Sequence, residues 1–372
     1  MTRTFYEFFA GGGMARIGLG AGWRCLVAND LDPDKCAAYR ANFGGEDLIE
    51  GDVHDLSAGD LPGRADLAWA SFPCQDLSLA GARGGLSAGR SGSFFGFWRL
   101  IEALRYEGRA PRTVVIENVS GLSSSSGGAD LAVVLNRLAD AGYKFDAQVL
   151  DAASFLPQSR PRLFIIAWSG RDLPEAGHAP ASPQDPLRLS RAHLTDDALA
   201  AHRPLALDPP PGRNVGLSAI VEDAPCFTQE KTKALLEMAA PLHQAKLSAA
   251  LAQAETAGAP VYGAGFRRMR GGKQRLEMRF DLAGCLRTPA GGSSRQILII
   301  ARPGGRVDAR LMTGREAARL MGLPDDYRLP ERANRALKLC GDGVAVPVVR
   351  HIAERALEPL LARALEPATD AA

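Results

Sequence analysis

The chain has 372 residues, 46% of them hydrophobic and 23% charged, with a formal net charge of +2. That composition excludes extensive disorder, and no run approaches the roughly 18 uninterrupted apolar residues of a membrane span. Glu7 falls where a secretory signal would be purely apolar, so a cytoplasmic protein of about two to three domains is expected.

Up to about Trp168, short apolar runs alternate with helical periodicity. Residues 5–10, 26–28, 67–71, 114–116 and 163–167 read as strands, and Leu131, Val134, Leu135 and Leu138 repeat at helical spacing between two of them. Such alternation predicts an α/β fold with a doubly wound, mostly parallel sheet covered on both faces.

The first strand runs into Gly11, Gly12 and Gly13, and Asp30 and Asp32 end the next. A glycine turn lets a ligand approach the backbone, and a carboxylate about 20 residues on can hold a ribose. The third residue after Gly13 is Arg16, not Gly, so the pattern suits a nucleoside-type cofactor better than a dinucleotide. A plain strand-to-helix turn is the alternative.

Cys74 follows the third strand, at the edge where open α/β sheets gather reactive groups. Between Pro73 and Gln75 it sits at a turn and is a candidate nucleophile. The competing reading, a small buried apolar residue, suits Cys25, Cys36 and Cys340 equally. The six cysteines form no CxxC or CxxH pair, so neither a zinc site nor a disulfide framework is indicated. Residues 76–93, with five Gly, make a loop long enough to close over a substrate.

The next strand delivers Glu117 and Asn118 to the same edge, as an acid or hydrogen-bonding group or else as a helix cap. Ahead of the last strand, alternation would aim Arg160 and Arg162 at one face, either to bind a carbonyl or phosphate oxygen or as exposed edge residues.

Residues 170–213 are rich in Pro and mark a boundary to a second region without clean periodicity. An amphipathic stretch, 233–254, leads into 261–310, where ten Arg and one Lys face Glu277, Asp281 and Asp308, a net +8. That is the footprint of a polyanion partner or a solvated basic face. A Gly/Ser-rich piece, 291–294, follows. Residues 344–365 read as a C-terminal helix with Pro347 near its start, its apolar stripe packed on the N-terminal sheet.

In this order the residues resemble the DNA (cytosine-5) methyltransferase family. Glu7 to Gly13 is similar to its S-adenosylmethionine loop, Phe72-Pro73-Cys74-Gln75 to its catalytic motif, and Glu117-Asn118-Val119 to its cytosine-binding motif. Gln158 to Arg162 resembles its Gln-x-Arg-x-Arg. Arg315 to Leu320 with Pro324-Asp325 resembles the motif supporting the recognition domain, and Gly341 to Pro347 the last motif. The resemblance implies a Rossmann-like catalytic domain at 1–170, a smaller, irregular target-recognition domain at 171–333, and a segment at 334–372 returning to the catalytic domain.

For chemistry, it implies that Cys74 attacks carbon 6 of a flipped cytosine and Glu117 holds ring nitrogen 3. Arg162 holds the exocyclic oxygen, and Arg160 helps position Cys74 or the loop. S-adenosylmethionine, leaving as S-adenosylhomocysteine, is placed against Phe9, Ala10, Gly11, Gly13, Asp30, Leu31, Asp52, Val53, Pro73, Asp342 and Gly343, without a metal. Duplex DNA is placed against Gln75, Ser78, Arg83 and Arg90 of the loop and Arg267, Arg268, Arg270 and Arg275 of the basic segment. A cognate restriction endonuclease is an allowed partner, and a monomer suffices. Glu7, Met14, Leu31 and Asp342 stand where the family usually has Asp, Gly, a bulkier residue and Asn. Two other functions are compatible: tRNA cytosine methylation, on the same fold, and a catalytically inactive DNA-binding homologue. A nicotinamide-dependent oxidoreductase fits less well, because the glycine spacing fails.

Overall fold

A computed structural model describes residues 2–73, 92–171, 185–288 and 295–363. The candidate nucleophile Cys74, the loop residues Gln75, Ser78, Arg83 and Arg90, and the piece 291–294 lie outside them. The chain divides into two compact units, one of residues 1–150, 161–209 and 348–372, the other of 151–160 and 210–347. These divisions fall elsewhere than the cuts expected after 170 and 333. The Pro-rich boundary lies at its far end, within Pro209-Pro210-Pro211, and a ten-residue loop of the first half belongs to the second unit. No helix among the described residues is long and apolar enough to cross a membrane.

The first unit holds β1 (Arg3–Phe8), α1 (Met14–Leu19), β2 (Trp23–Asp30), α2 (Pro33–Phe43), β3 (Leu48–Glu50), β4 (Leu67–Ala70), α3 (Ser93–Tyr106), β5 (Thr113–Val119), α4 (Ala129–Asp140), β6 (Lys144–Asp151), β7 (Pro161–Trp168) and α5 (Asp196–Ala201). Its sheet runs β3-β2-β1-β4-β5-β7-β6, parallel from β3 to β5, with β7 antiparallel to β5. β4 and the first six residues of β5 are buried throughout, as continuous apolar runs covered on both faces must be. Helix α2 is set by Asp32, whose carboxylate accepts the Asp34 and Lys35 amides, and by Pro33 in the first turn. Two strands, β3 and β6, were not expected: β3 is three residues long, and β6 mixes charged and apolar residues as an edge strand does.

The second unit contains α6 (Gln229–Leu236), α7 (Pro241–Ala257), β8 (Val261–Arg270), β9 (Lys273–Arg279), β10 (Ile297–Ala301), β11 (Val307–Leu311), α8 (Gly314–Leu320) and α9 (Ala333–Asp342). Beyond the smaller second domain that was expected, its strands β11-β10-β8-β9 form an antiparallel sheet over a core of Leu235, Leu276, Met278, Ile297 and Ile299. Gly263 and Gly265 broke the strand pattern because backbone and rings approach too closely for a side chain. A Cβ there would lie 2.7 Å from the Phe280 ring or 2.8 Å from the Glu277 carbonyl. The stretch 233–254 is two helices, because Pro241 starts a new one.

Within this unit Glu316 and Arg310, 0% and 3% exposed, form a two-point ion pair at 2.6 and 2.8 Å. Glu316 also accepts the Thr313 and Glu222 amides. Removing one partner strands a buried charge, so Glu316→Ala is expected to cost about 3–5 kcal/mol. Urea unfolding checks this; a loss under about 1 kcal/mol would show that the pair is dispensable.

The chain then returns as α10 (Val346–Ile352), a π turn at Ala353–Leu357 and α11 (Glu358–Arg363). In the first unit Arg350 donates to the Leu19 carbonyl and pairs with Glu358, which accepts the Trp23 indole N–H. The C-terminal helix thus docks where α1 turns into β2.

Candidate active site

Strand register gathers the motif residues. Asn29, Phe8, Ala70, Ile116 and Ile165 lie in one row across β2, β1, β4, β5 and β7, so Asp30, Phe9, Ser71 and Glu117 follow at one edge. The strand order reverses between β1 and β4, and the crevice outside such a switch point is where open α/β sheets bind ligands.

After β1 the backbone turns sharply. Phe9 has φ 58°, which costs a side-chain-bearing residue about 1–3 kcal/mol, and Gly11 and Gly13 follow at 57° and 75°. This turn ends the strand at Phe8 rather than at Ala10. The loop is tied to β2: the Ala10 amide donates to Asn29 O at 2.9 Å and the Gly11 amide to Asp30 Oδ2 at 2.8 Å. Asp30 Oδ1 takes the Asp32 amide, so its carboxylate orders both loops. Leu31 beside it is 65% exposed, an apolar side chain held in the open. Asn29 Nδ2 donates to the Ile49 and Gly51 carbonyls, fixing the turn that carries Asp52. Val53 is buried against α3, where a Cβ on Gly96 would approach it to 2.8 Å.

Below the loop Glu7 is 2% exposed and accepts the Arg16 amide, capping α1, whose N-cap Gly13 has no side chain to do so. Among the described residues its Oε2 has no hydrogen-bond partner. Burial pushes this carboxyl up to about 8 from its ordinary 4.5. Its contribution to stability is complete below pH 4.5 and is lost as pH rises through about 8. Glu7→Gln, neutral at every pH, is expected to flatten the fall in stability between those limits. Thermal melts across that range check it, and an unchanged slope would mean that Glu7 is ionised in the fold.

On the other side of the switch point, the Phe72 ring packs edge-on to Phe9 with centroids 6.1 Å apart. Asn118 Nδ2 donates to the Phe72 carbonyl at 3.0 Å, fixing the peptide that enters exposed Pro73. Glu117, 6% exposed, lies 3.3 Å from Arg162 Nε. Among the other cysteines, burial pushes the Cys25, Cys36 and Cys340 thiols up to about 12, so none is a thiolate at neutral pH.

Arg160 and Arg162 do not act as one pair. Arg160 precedes β7, so strand alternation does not govern it. In the second unit its guanidinium donates to the carbonyls of Leu286, Gly341 and Gly343 and to Cys285 Sγ. It holds the turn carrying Asp342 and Gly343, and Asp342 itself accepts the Thr288 hydroxyl.

The basic segment is chiefly the β8–β9 hairpin. Register puts Arg268 opposite Arg275 and Arg270 opposite Lys273, with Glu277 on the same face. Arg267 lies on the other face, opposite buried Leu276, so the four expected DNA contacts do not form one surface.

Asn29, to which the sequence assigned no role, and Asn118, which it grouped with Glu117, emerge as positioning residues. Each lies near the end of a strand and adjoins an acid in the sequence, Asp30 or Glu117, which was the available signal.

A family model described as C-5 cytosine-specific DNA methylase matches residues 3–358. Over 353 residues the chain is 28% identical to the Type II methyltransferase M.NlaX of Neisseria lactamica, covering 94% of each. It is 27% identical to M.HhaI of Haemophilus parahaemolyticus, covering 94% of this chain and 92% of that one. Among solved structures, the S. pombe Dnmt2 methyltransferase shares the fold with a TM-score of 0.59 at 17% identity, over 96% of this chain and 99% of that one.

Proposed function

The chain belongs to the C-5 cytosine-specific DNA methylase family, and from that premise we propose that it methylates carbon 5 of a cytosine flipped out of a specific duplex sequence, with Cys74 as covalent nucleophile. The observation that carries this is the shared sheet edge, where the Phe9–Gly13 loop, the Phe72–Pro73 turn and the Glu117–Arg162 pair meet at the switch point.

The first unit's residues fit S-adenosylmethionine. The turn with positive φ at Phe9, Gly11 and Gly13 leaves space where a Cβ on Gly11 would meet only the Lys35 side chain at 4.0 Å, a carboxylate ends β2, and Leu31 offers an exposed apolar face. Phe9, Gly11, Gly13, Asp30, Leu31 and Asp52 would hold it. Bound there, the cofactor supplies an electrophilic methyl group.

An aromatic carbon is a weak nucleophile, so the ring needs activation. Cys74 Sγ adds to carbon 6, moving the double-bond electron pair to carbon 5. Glu117 hydrogen-bonds ring nitrogen 3 as negative charge develops, and Arg162 keeps that carboxyl oriented while reaching the exocyclic oxygen. Once carbon 5 is methylated, loss of its proton breaks the carbon–sulfur bond and frees Cys74. Because these atoms are hidden in a stacked duplex, the base must leave the helix. One chain serves one flipped base, so a monomer suffices, and the Type II names of the relatives suggest a restriction endonuclease as companion.

The test is methyl-labelled S-adenosylmethionine with duplex DNA or total tRNA, followed by digestion to nucleosides. Label in 5-methyldeoxycytidine is expected. Label in 5-methylcytidine from tRNA would contradict the DNA reading, and none in either would identify an inactive homologue.

A further inference from the structure

At the β8–β9 hairpin, Gly271 and Gly272, with φ 55° and 74°, make a tight turn, and the strands present Arg268, Arg270, Lys273, Arg275 and Arg279 on one face. Arg268 opposite Arg275 and Arg270 opposite Lys273 are like-charge pairs, which cost a hairpin stability. One acid, Glu277, sits among them. Its Oε1 accepts Arg270 Nε at 2.8 Å, and Arg268 Nε lies 3.1 Å from its Oε2. Arg268 is further fixed over the Phe266 ring, 5.6 Å from its centroid. Among the described residues the Nη groups of Arg268 and Arg270 make no hydrogen bond.

We propose that Glu277 buttresses Arg268 and Arg270 as a two-guanidinium reader of guanine in the duplex major groove, which makes these three residues determinants of the methylated sequence. The proposal rests on the reading of the chain as a DNA methyltransferase. A surface built only for phosphates gains from every positive charge and loses by keeping an acid between two arginines. Directional reading gains from it. Arg270, hydrogen-bonded at Nε, and Arg268, held by its ion pair with Glu277 and by the Phe266 ring, each present an Nη edge of restricted orientation, and such an edge matches the O6 and N7 acceptors of guanine at two points. The neighbouring Lys273, Arg275 and Arg279 on the same face would supply sequence-independent phosphate contacts.

The experiment measures kcat/KM of the full chain on duplexes carrying its methylated site, varied one base pair at a time and with each guanine replaced by 7-deazaguanine. The unmodified chain is expected to lose roughly 10–100-fold at the guanines it reads. Arg268→Lys and Arg270→Lys, which keep the charge but not the fork, should each erase the discrimination at one guanine. Glu277→Gln should weaken it at both. Thermal melts confirm that the variants are folded. Discrimination unchanged in all three, even if affinity and its salt dependence fall, overturns the proposal and leaves a phosphate-binding face. Absence of methylation of any duplex by the unmodified chain overturns the methyltransferase reading and this proposal with it.

Discussion

Replacing Cys74 by Ser is expected to lower the rate of methylation by at least about 10³-fold while leaving DNA binding and the fold in place. The hydroxyl matches the thiol in shape but is far less acidic, so little of it is available as an anion at neutral pH to open the pyrimidine ring. Four of the five other thiols do not compensate. Those of Cys25, Cys36 and Cys340 are buried and pushed up to about 12, and Arg160 donates to Cys285 Sγ within the second unit. Single-turnover methyl transfer with a DNA-binding control checks the expectation. A variant that retains more than about a tenth of the rate would remove Cys74 from the nucleophile's role.

Glu117→Gln should lower kcat by about 10²–10⁴-fold, with KM for S-adenosylmethionine little changed. Glutamine preserves the shape of a side chain that is 6% exposed at the end of β5, but it neither ionises nor delivers a proton to ring nitrogen 3. The cofactor loop is ordered independently through Asp30 and Asn29, so its affinity should not follow. Because the substitution also leaves Arg162 without its carboxylate at 3.3 Å, some loss of thermal stability accompanies it. A kcat loss below about tenfold, with that stability loss present, would reduce Glu117 to a structural partner of Arg162.

Much of this site was legible because function and local structure use the same signal. In β5 an apolar run, Val114 to Ile116, ends on Glu117, and a buried parallel strand that stops on a polar pair reveals both the strand and the edge. Gly11 and Gly13 marked the sharp turn, but Phe9 did not, since nothing in its chemistry announces a positive φ. Arg160 and Arg162 look equivalent in sequence but differ in the fold, because β7 begins at Pro161 and Arg160, outside the strand, donates to the Gly341 and Gly343 carbonyls of its own unit. The antiparallel sheet was hidden by glycines that make room for close backbone approach, and Glu277 was counted as a charge when its position between two arginines gives it its meaning.

The central claim is that Cys74 bonds to carbon 6 and is released only when carbon 5 loses its proton. A duplex in which the target cytosine carries fluorine at carbon 5 tests this directly, because fluorine cannot leave as a proton and the adduct cannot collapse. Incubated with this duplex and S-adenosylmethionine, the chain is predicted to form a denaturant-stable complex of one protein with one strand, and its digestion should place the nucleotide on the Cys74 peptide. Methyl transfer to the unfluorinated duplex without any trapped complex on the fluorinated one, or a complex mapping to another residue, would contradict the account.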